Sequence, residues 1–439
     1  MRITEISATS LFDIFNHTIA LNVDDGITII HGPNGYGKSI MLRVLSGLFN
    51  RRYAVLHDIP FQKFQVRFDD ESLVWVEKKC REKAHQNGNE GLSQITINYS
   101  KPNATQIKTF SLNSIPQNRV FLSMLAEKRT KYDVAGVREL AAISNGAITS
   151  DYVLEHNGYI RPFEQPEEPQ WWREIQQAVN IVPIETPTLL NIYESNRHNG
   201  RSQGLPLVEQ YSKELVEIIQ QKLAESAALS QSLDRTFPMR LVEQMAEVKI
   251  TNGALQDKLT SLERKRSELK EVGLLDQEEN HPFLPIEKMA DDARNLLGIY
   301  VQDVEQKLSV FDDISDRLTL LKEIINKHFL HKRFNISKEE GFFFTNSKGR
   351  RLTSAELSLG EQHQLALLYQ MLFKASPDSL LLIDEPERSL HVVWQRTFLA
   401  HLQRIKAAIG FDVIIATHSP QIVHDRWDLT VELKGPKIG

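Results

Sequence analysis

The stretch GPNGYGKS, Gly32 to Ser39, has the spacing G-x-x-x-x-G-K-S of a P-loop. In such a loop Gly32, Asn34, Gly35 and Gly37 let backbone N–H groups turn inward around a triphosphate, Lys38 neutralises its terminal oxygens, and the Ser39 hydroxyl ligates Mg²⁺. The flanks have the order this requires. GITII before the loop is a short β-branched run of the buried-strand type, and IMLRVLSGLF after it has helical spacing. A phosphate placed there meets the positive end of the helix dipole and unpaired N–H groups.

Around this loop the chain has 439 residues, enough for two or three structural units with a large apolar core. Its one cysteine, Cys80, has no partner for an internal disulfide, and no Cys/His cluster with zinc spacing occurs. The N-terminus MRITEISATSLFDIF carries acids and reads as a strand, and no apolar run approaches the roughly 20 residues that span a bilayer. The expectation is a cytoplasmic protein with no membrane contact. Net charge is −5, which argues against binding nucleic acid through bulk positive charge. The basic clusters EKKCREK around Cys80, KRTKY at Lys128–Tyr132 and SKGRR at Ser347–Arg351 lack aromatic interleaving and read as solvated faces.

Three segments follow from composition. Residues 1–204 alternate short strands (RITEIS, HTIALNV, GITIIHG, FQVRF, SLVWVEKK, SQITINYS, TLLNIYES) with the helical stretches NSIPQNRVFLSMLAEKRTKY and PQWWREIQQAV and the link EQPEEPQ. Residues 205–330 lose their strands. Leu241, Val248, Leu255, Leu262 and Leu269 recur every seven residues there, with Met245 and Leu259 between them. After the break ENHPFLP a second seam runs through Leu297, Tyr300, Val304, Leu308, Phe311, Ile314, Leu318, Leu321 and Ile325. Two helices joined by a proline turn are expected to pack antiparallel as a coiled-coil insert roughly 60 Å long. Residues 331–439 return to strands.

This last segment carries three motifs in order. LSLGEQ at Leu357–Gln362 precedes the helical HQLALLYQMLF; alone, it reads equally as an N-cap with an acid in the first turn. SLLLIDEPERSLH at Ser379–His391 is an apolar strand ending in two carboxylates, a costly place for adjacent acids unless a cation or a reaction uses them. Asp384 is placed to hold Mg²⁺, directly or through water, and Glu385 to take a proton from the water attacking the γ-phosphate. VIIATHSP at Val413–Pro420 is a further buried strand, ending at His418, within reach of the same phosphate.

With these four motifs in this order, the chain resembles the ABC-type ATPases. Its signature departs from theirs, with Leu359 in place of a glycine and Glu361 in place of a glutamine. Such departures and a helical interruption resemble the SMC, RecF and overcoming-lysogenisation-defect (OLD) branches. The implied fold is α/β: an ABC-type head assembled from N- and C-terminal lobes and interrupted by the helical insert. The resemblance also implies a head-to-tail homodimer at least, in which Lys38, Ser39, Asp384 and Glu385 of one protomer face Ser358, Gly360 and Glu361 of the other across ATP and Mg²⁺. Ser389, Leu390 and His391 occupy the position of the D-loop. The glutamine that senses Mg²⁺ stays open between Gln62, Gln65 and the segment IYESNR at Ile192–Arg197.

OLD nucleases carry a Toprim domain after the head, about a hundred residues or more, whereas this chain ends at HDRWDLTVELKGPKIG, soon after His418. The expectation is an ATPase with no nuclease activity of its own, acting on a separate, Toprim-type nuclease. The head, the insert and this tail resemble stand-alone ATPases of bacterial anti-phage systems such as PARIS, with Septu a competitor, which implies a phage-encoded protein trigger. A DNA-repair or DNA-maintenance ATPase of RecF or SMC type and a regulatory nucleotide-binding module remain as alternatives, and nucleic-acid binding stays open.

Overall fold

The structure is a computed structural model and describes residues 1–79, 94–102, 106–112, 152–154, 160–162, 167–184, 193–196, 203–244, 250–276 and 290–435. Cys80, the cluster at 128–132, the helix expected over 113–132, Met245, Val248 and the break ENHPFLP lie outside these residues. The chain divides into two compact units, residues 1–205 with 370–439, and residues 206–369. Residues 331–369, which composition groups with the C-terminal segment, belong to the second unit together with the helices.

The first unit contains two large sheets. One is antiparallel and six-stranded, from β1 (Ile3–Leu11), β2 (Phe15–Ala20), β4 (Lys63–Phe68), β5 (Leu73–Lys79), β6 (Gln94–Ser100) and β7 (Lys108–Leu112), in the order β2-β1-β4-β5-β6-β7. Its strands alternate as a half-buried sheet requires, with Phe64, Val66, Phe68, Val74, Val76, Ile95 and Ile97 inward. The other joins β3 (Ile27–His31), β10 (Ile181–Ile184), β16 (Leu380–Asp384), β17 (Asp412–Ala416) and β18 (Thr430–Glu432) in the order β10-β16-β17-β3-β18, all parallel. ITIIH, LLLID and DVIIA are near-continuous apolar runs because a parallel sheet is buried on both faces.

Between the sheets lies α1 (Lys38–Phe49), the helix that follows the glycine loop. It buries Met41, Leu42, Val44, Leu45, Leu48 and Phe49, almost its whole circumference. These share one cluster with Ile6, Phe64, Val66 and Ile97 of the antiparallel sheet and with Leu380, Leu382 and Ile414 of the parallel one. Each such side chain contributes about 2 kcal/mol. Helix α2 (Tyr53–Asp58) follows, and α3 (Gln170–Ala178) adds Trp172 and Ile175 to the cluster, with Trp172 Nε1 donating to Tyr53 Oη at 2.8 Å. Arg2 and Asp412 tie β1 to β17 through two hydrogen bonds, of 2.5 and 2.9 Å. Two small sheets complete the described strands here, β8 (Tyr152–Leu154) paired antiparallel with β9 (Ile160–Pro162), and β11 (Tyr193–Asn196) paired with β12 (Gln203–Pro206).

The second unit has α4 (Leu207–Gln244), α5 (Asn252–Glu271), α6 (Asp291–Ser309), α7 (Asp312–His328), the antiparallel strands β13 (Lys332–Ser337), β14 (Gly341–Asn346) and β15 (Arg351–Leu352), and α8 (Leu359–Tyr369). Helix α4 has 38 residues, about 57 Å at 1.5 Å per residue. Pairing directions follow from ion pairs. Arg240 meets Asp303 at 2.8 Å and Asp234 meets Lys307 at 2.9 Å, so α4 and α6 run antiparallel. Lys258 meets Glu305 near the end of α6 at 2.9 Å and Lys265 meets Asp312 at the start of α7 at 2.5 Å, so α5 runs in the same direction as the chain passing from α6 into α7.

The seam expected from Leu241 to Leu269 is therefore not one helix. Thr251 starts α5 afresh as its N-cap, accepting the Ala254 N–H at 3.3 Å, and Leu255, Leu259, Leu262 and Leu269 are buried along it. A heptad pattern specifies which face is apolar but not where the helix is interrupted. In the second seam Tyr300 is 45% exposed, while Ile299 and Val301 are fully buried, because α6 packs against both α4 and α5. The turn from β13 to β14 rests on α4: Gly341 has φ +74°, and a Cβ there would lie 2.0 Å from the Ser212 carbonyl oxygen, so only glycine fits. In the SKGRR cluster, Arg350 pairs with Glu356 at 2.6 Å and Arg351 with Glu340, so local acids balance these charges.

One feature of the antiparallel sheet bears on the loop directly. His17 on β2 is buried, and its Nε2 lies 2.8 Å from the Tyr36 carbonyl in the middle of the glycine loop. Burial holds the imidazole below the usual histidine range, against the opposing effect of that carbonyl. The folded state thus favours neutral His17. Its contribution is present above the ordinary histidine range and is lost as pH falls through the lowered folded value. The native protein should lose more thermal stability between about pH 7 and about pH 5 than a His17→Gln variant, measured as the midpoint of thermal unfolding; equal pH dependence in the two proteins would contradict this.

Candidate nucleotide-binding site

The parallel sheet brings three of the four motifs to one edge. Ile30 on β3 is in register with Ala416 on β17, and Ala416 with Asp384 on β16, so the chain leaves all three strands at the same level. From β3 it enters the glycine loop, from β16 it passes to Glu385, and from β17 it reaches His418. This edge, at the carboxyl ends of parallel strands, is where open α/β sheets bind ligands. A glycine loop after β3, with acids ending β16 two strands across the sheet beyond β17, constitutes an α/β P-loop ATPase fold.

Gly37 caps α1 at φ +88°, and a Cβ there would lie 2.7 Å from the Leu11 side chain, so the loop can close only with glycine at this position. Lys38 is buried, its ammonium donating to the loop carbonyls of Gly32 and Pro33 at 2.7 and 3.0 Å. Asn34 and Gly35 are exposed at the mouth of the loop. Ser39 Oγ donates to Asp384 Oδ1 at 2.8 Å across 345 residues of sequence. Burial raises the Asp384 pKa, the Ser39 hydroxyl opposes it, and the charges of Glu385 and Glu387 raise it further. A carboxylate so placed gains from a nearby cation. With the N-terminal amides of α1, the Lys38 ammonium and two hard oxygen donors, the site fits a triphosphate with Mg²⁺, an ion held by one or two carboxylates plus phosphate oxygens.

Glu385 occupies left-handed backbone, φ +46°, in a chain that turns sharply from strand into the 3₁₀ turn Pro386–Ser389. Non-glycine residues in this region cost about 1 kcal/mol or more and cluster at functional sites. Its N–H donates to the Ala416 carbonyl at 2.8 Å, and Arg388 meets its carboxylate at 3.0 Å. His418 is half-exposed. It lines a cavity of about 430 Å³ with His31, Gly32, Asn34, Trp427 and Glu432. Gln62 lies beside β1 with its amide oxygen 3.4 Å from Ser10 Oγ, Gln65 is within β4, and Tyr193–Asn196 of IYESNR forms β11.

Ser358, Gly360 and Glu361 belong to the second unit. Ser358 is exposed and caps α8, with the Glu361 N–H donating to its Oγ at 3.3 Å and its own N–H donating to the Glu361 carboxylate at 2.7 Å. Lys332 also pairs with Glu361 at 2.6 Å. Burial of Glu361 opposes ionisation, but Lys332 and Ser358 outweigh it and hold the carboxyl below its ordinary range. The acid of the signature is thus engaged within its own unit, while the Ser358 hydroxyl stands at an exposed helix start. In the D-loop position, His391 is the N-cap of α9 (Val392–Ile409), its Nδ1 accepting the Val393 N–H at 3.4 Å.

Two residues that support this site carry no functional signal in the sequence. His17 is one; HTIALNV carries only the signature of a strand. The other is Glu387, which is buried, accepts the backbone N–H of His418 at 2.8 Å and lies 2.9 Å from its Nδ1. Its one trace there is the spacing of acids in DEPE, since a third carboxylate so close to a buried strand end needs a partner. Among the described residues no group of three or more His, Cys, Asp or Glu could hold a metal ion by itself, and no helix is long and apolar enough to cross a membrane.

The family model described as "AAA domain, putative AbiEii toxin, Type IV TA system" matches residues 257–424, a span that includes Ser358, Asp384, Glu385 and His418 and excludes the glycine loop. No curated protein matches the chain. Among solved structures, the SMC head domain from Thermotoga maritima aligns at 12% identity and TM-score 0.34, over 98% of this chain and 94% of that one. The Smc head domain with an extended coiled coil, bound to the C-terminal domain of ScpA, derived from Pyrococcus furiosus, aligns at 14% identity and TM-score 0.33, over 96% and 91%.

Proposed function

We propose that the chain is an ABC-type ATPase that binds and hydrolyses ATP with Mg²⁺, assembles through the bound nucleotide into at least a head-to-tail dimer, and controls a separate effector in bacterial anti-phage defence. The observation that carries the catalytic part is the convergence of Lys38, Ser39, Asp384, Glu385 and His418 on one strand edge, fastened by the 2.8 Å bond from Ser39 to Asp384. Lys38 would exchange the loop carbonyls of Gly32 and Pro33 for phosphate oxygens, so that no charge is newly buried without a partner. Ser39 and Asp384 would hold Mg²⁺, which supplies neutralisation of the phosphate charge.

Glu385 would accept the proton of the attacking water. Its backbone is left-handed where the chain leaves the strand, and Arg388 pairs with its carboxylate at 3.0 Å. His418 would hydrogen-bond the terminal phosphate from the cavity side. The exposed Ser358, with its cap at the N-terminus of α8, is suited to a phosphate of a second copy, because a helix start offers N–H groups and positive potential. ATP between two copies would complete an interface that neither surface satisfies alone, and hydrolysis would remove that link.

The effector reading rests on the resemblance to stand-alone defence ATPases such as that of the PARIS system, on a separate Toprim-type nuclease as effector and on a phage-encoded protein as trigger. The matched family's description as a putative toxin of a toxin–antitoxin system supports an ATPase that works with a cognate protein.

Glu385→Gln should bind ATP with unchanged affinity and lose hydrolysis by about 100-fold or more, the usual contribution of a general base; steady-state turnover measured beside nucleotide titration checks this, and retained turnover would remove the base assignment. The same variant, holding its nucleotide, should co-purify with a nuclease encoded beside it when the two are co-expressed. Separate elution of the two proteins would count against effector control.

A further inference from the structure

We infer that Glu387 is a positioning residue for His418, fixing the protonated nitrogen and the direction of its ring, an assignment that rests on the role proposed for His418 above. Glu387 lies in the 3₁₀ turn Pro386–Ser389 that follows the carboxylates of β16, and its side chain is 5% exposed. A single oxygen, Oε1, accepts the backbone N–H of His418 at 2.8 Å and lies 2.9 Å from its Nδ1 as an ion-pair contact. At 2.9 Å a lone pair on Nδ1 would be repelled by the carboxylate oxygen, so this contact favours the tautomer with the proton on Nδ1. Nε2 is then the nitrogen left for the cavity that His418 shares with Gly32 and Asn34.

The second oxygen of Glu387 is buried without a hydrogen-bond partner among the described residues. Leaving a carboxylate oxygen dry is costly. A side chain retained only for packing would be replaced at lower cost by an apolar one, so the arrangement points to the ring it holds. A second tie joins the same two loops. Ser419 Oγ donates to Gln395 Oε1 at 2.8 Å, and the Gln395 amide donates to the carbonyls of Glu387 and Leu390 at 3.3 and 2.9 Å. The segment Thr417–Ser419 is therefore clamped to the turn 386–390 at two points, and any displacement of that turn is transmitted to the ring of His418. Orientation of a metal or phosphate ligand by a carboxylate on the far imidazole nitrogen is a general device, because it selects one tautomer and one ring direction.

The test is a double-mutant cycle on the full chain, with ATP turnover, ATP affinity and ¹⁵N spectra of the His418 ring as readouts. Glu387→Ala and His418→Gln should each lower kcat by about 10-fold or more, with ATP affinity changed less than about 3-fold, and the double variant should be no slower than His418→Gln alone, as expected for groups acting as one unit. Glu387→Ala should also shift the ring from a single Nδ1–H form to a mixture of tautomers. Glu387→Gln, whose amide oxygen still accepts from Nδ1–H, should recover most of the turnover and keep the Nδ1–H spectrum. Additive losses in the double variant, or an unchanged ring spectrum in Glu387→Ala, would overturn the assignment. If Glu387→Ala fails to fold, Glu387→Gln decides: loss of turnover with the Nδ1–H form intact overturns it. If His418→Gln by itself leaves kcat unchanged, the role proposed for His418 fails first and this inference with it.

Discussion

A hydrogen bond of 2.8 Å between the Ser39 hydroxyl and the Asp384 carboxylate joins the two ends of the candidate site, although 345 residues separate them in the chain. Neither residue could hold that position by local structure. Ser39 is the second residue of α1, and Asp384 is the last of β16, with β17 lying between β16 and the loop-bearing β3. What sets the distance is parallel register, which aligns Ile30, Ala416 and Asp384 at one level. A slip of one residue in either pairing would turn each side chain to the opposite face and separate the two oxygens.

That register is in turn held by α1. Because the helix is enclosed by both sheets, the same residues that anchor it, Met41, Leu45 and Leu48 among them, fix the direction of its N-terminus and therefore of the loop amides. His17 supports the loop from the antiparallel side through the Tyr36 carbonyl, and Leu11 presses on Gly37. The loop is thus braced from the sheet that contributes none of the acids. On the other flank, Glu387 and Gln395 brace His418 and Ser419. Charge at the centre is left uneven: burial and neighbouring carboxylates raise Asp384, a disposition that a cation relieves.

Much of this was legible in the sequence because it is written in short runs. ITII, LLLI and VIIA can be little else than buried parallel strands, and each leads into its polar motif, the glycine loop with Lys38, Asp384 directly, and His418 after Thr417, so the three could be placed on one edge from order alone. Other features depend on contacts far apart in the chain and leave no local trace. The strand HTIALNV says nothing of the bond from His17 to Tyr36, and Glu387 is only one acid among three in DEPE until the fold closes over it. The helices show a different limit. The heptads identified the buried leucines of α5, but periodicity has no term for the end of α4, the fresh cap at Thr251 or the parallel pairing of Lys258 with Glu305. Tyr300 lies on the expected seam by spacing and is exposed because α6 has two neighbours where the pattern assumes one.

In the proposed dimer the glycine loop of one copy and the Ser358 turn of another would form a single catalytic site. Mixing two variants, each inactive alone, tests it most directly: Lys38→Ala removes the loop's cation, and Ser358→Arg blocks the opposing turn. In a mixed dimer one site loses both residues and the other keeps both. An equimolar mixture should therefore recover about a quarter of the native ATPase rate, since half of randomly assembled dimers are mixed and each has one intact site. A mixture as inactive as its two components, or full activity of Ser358→Arg alone, would contradict it.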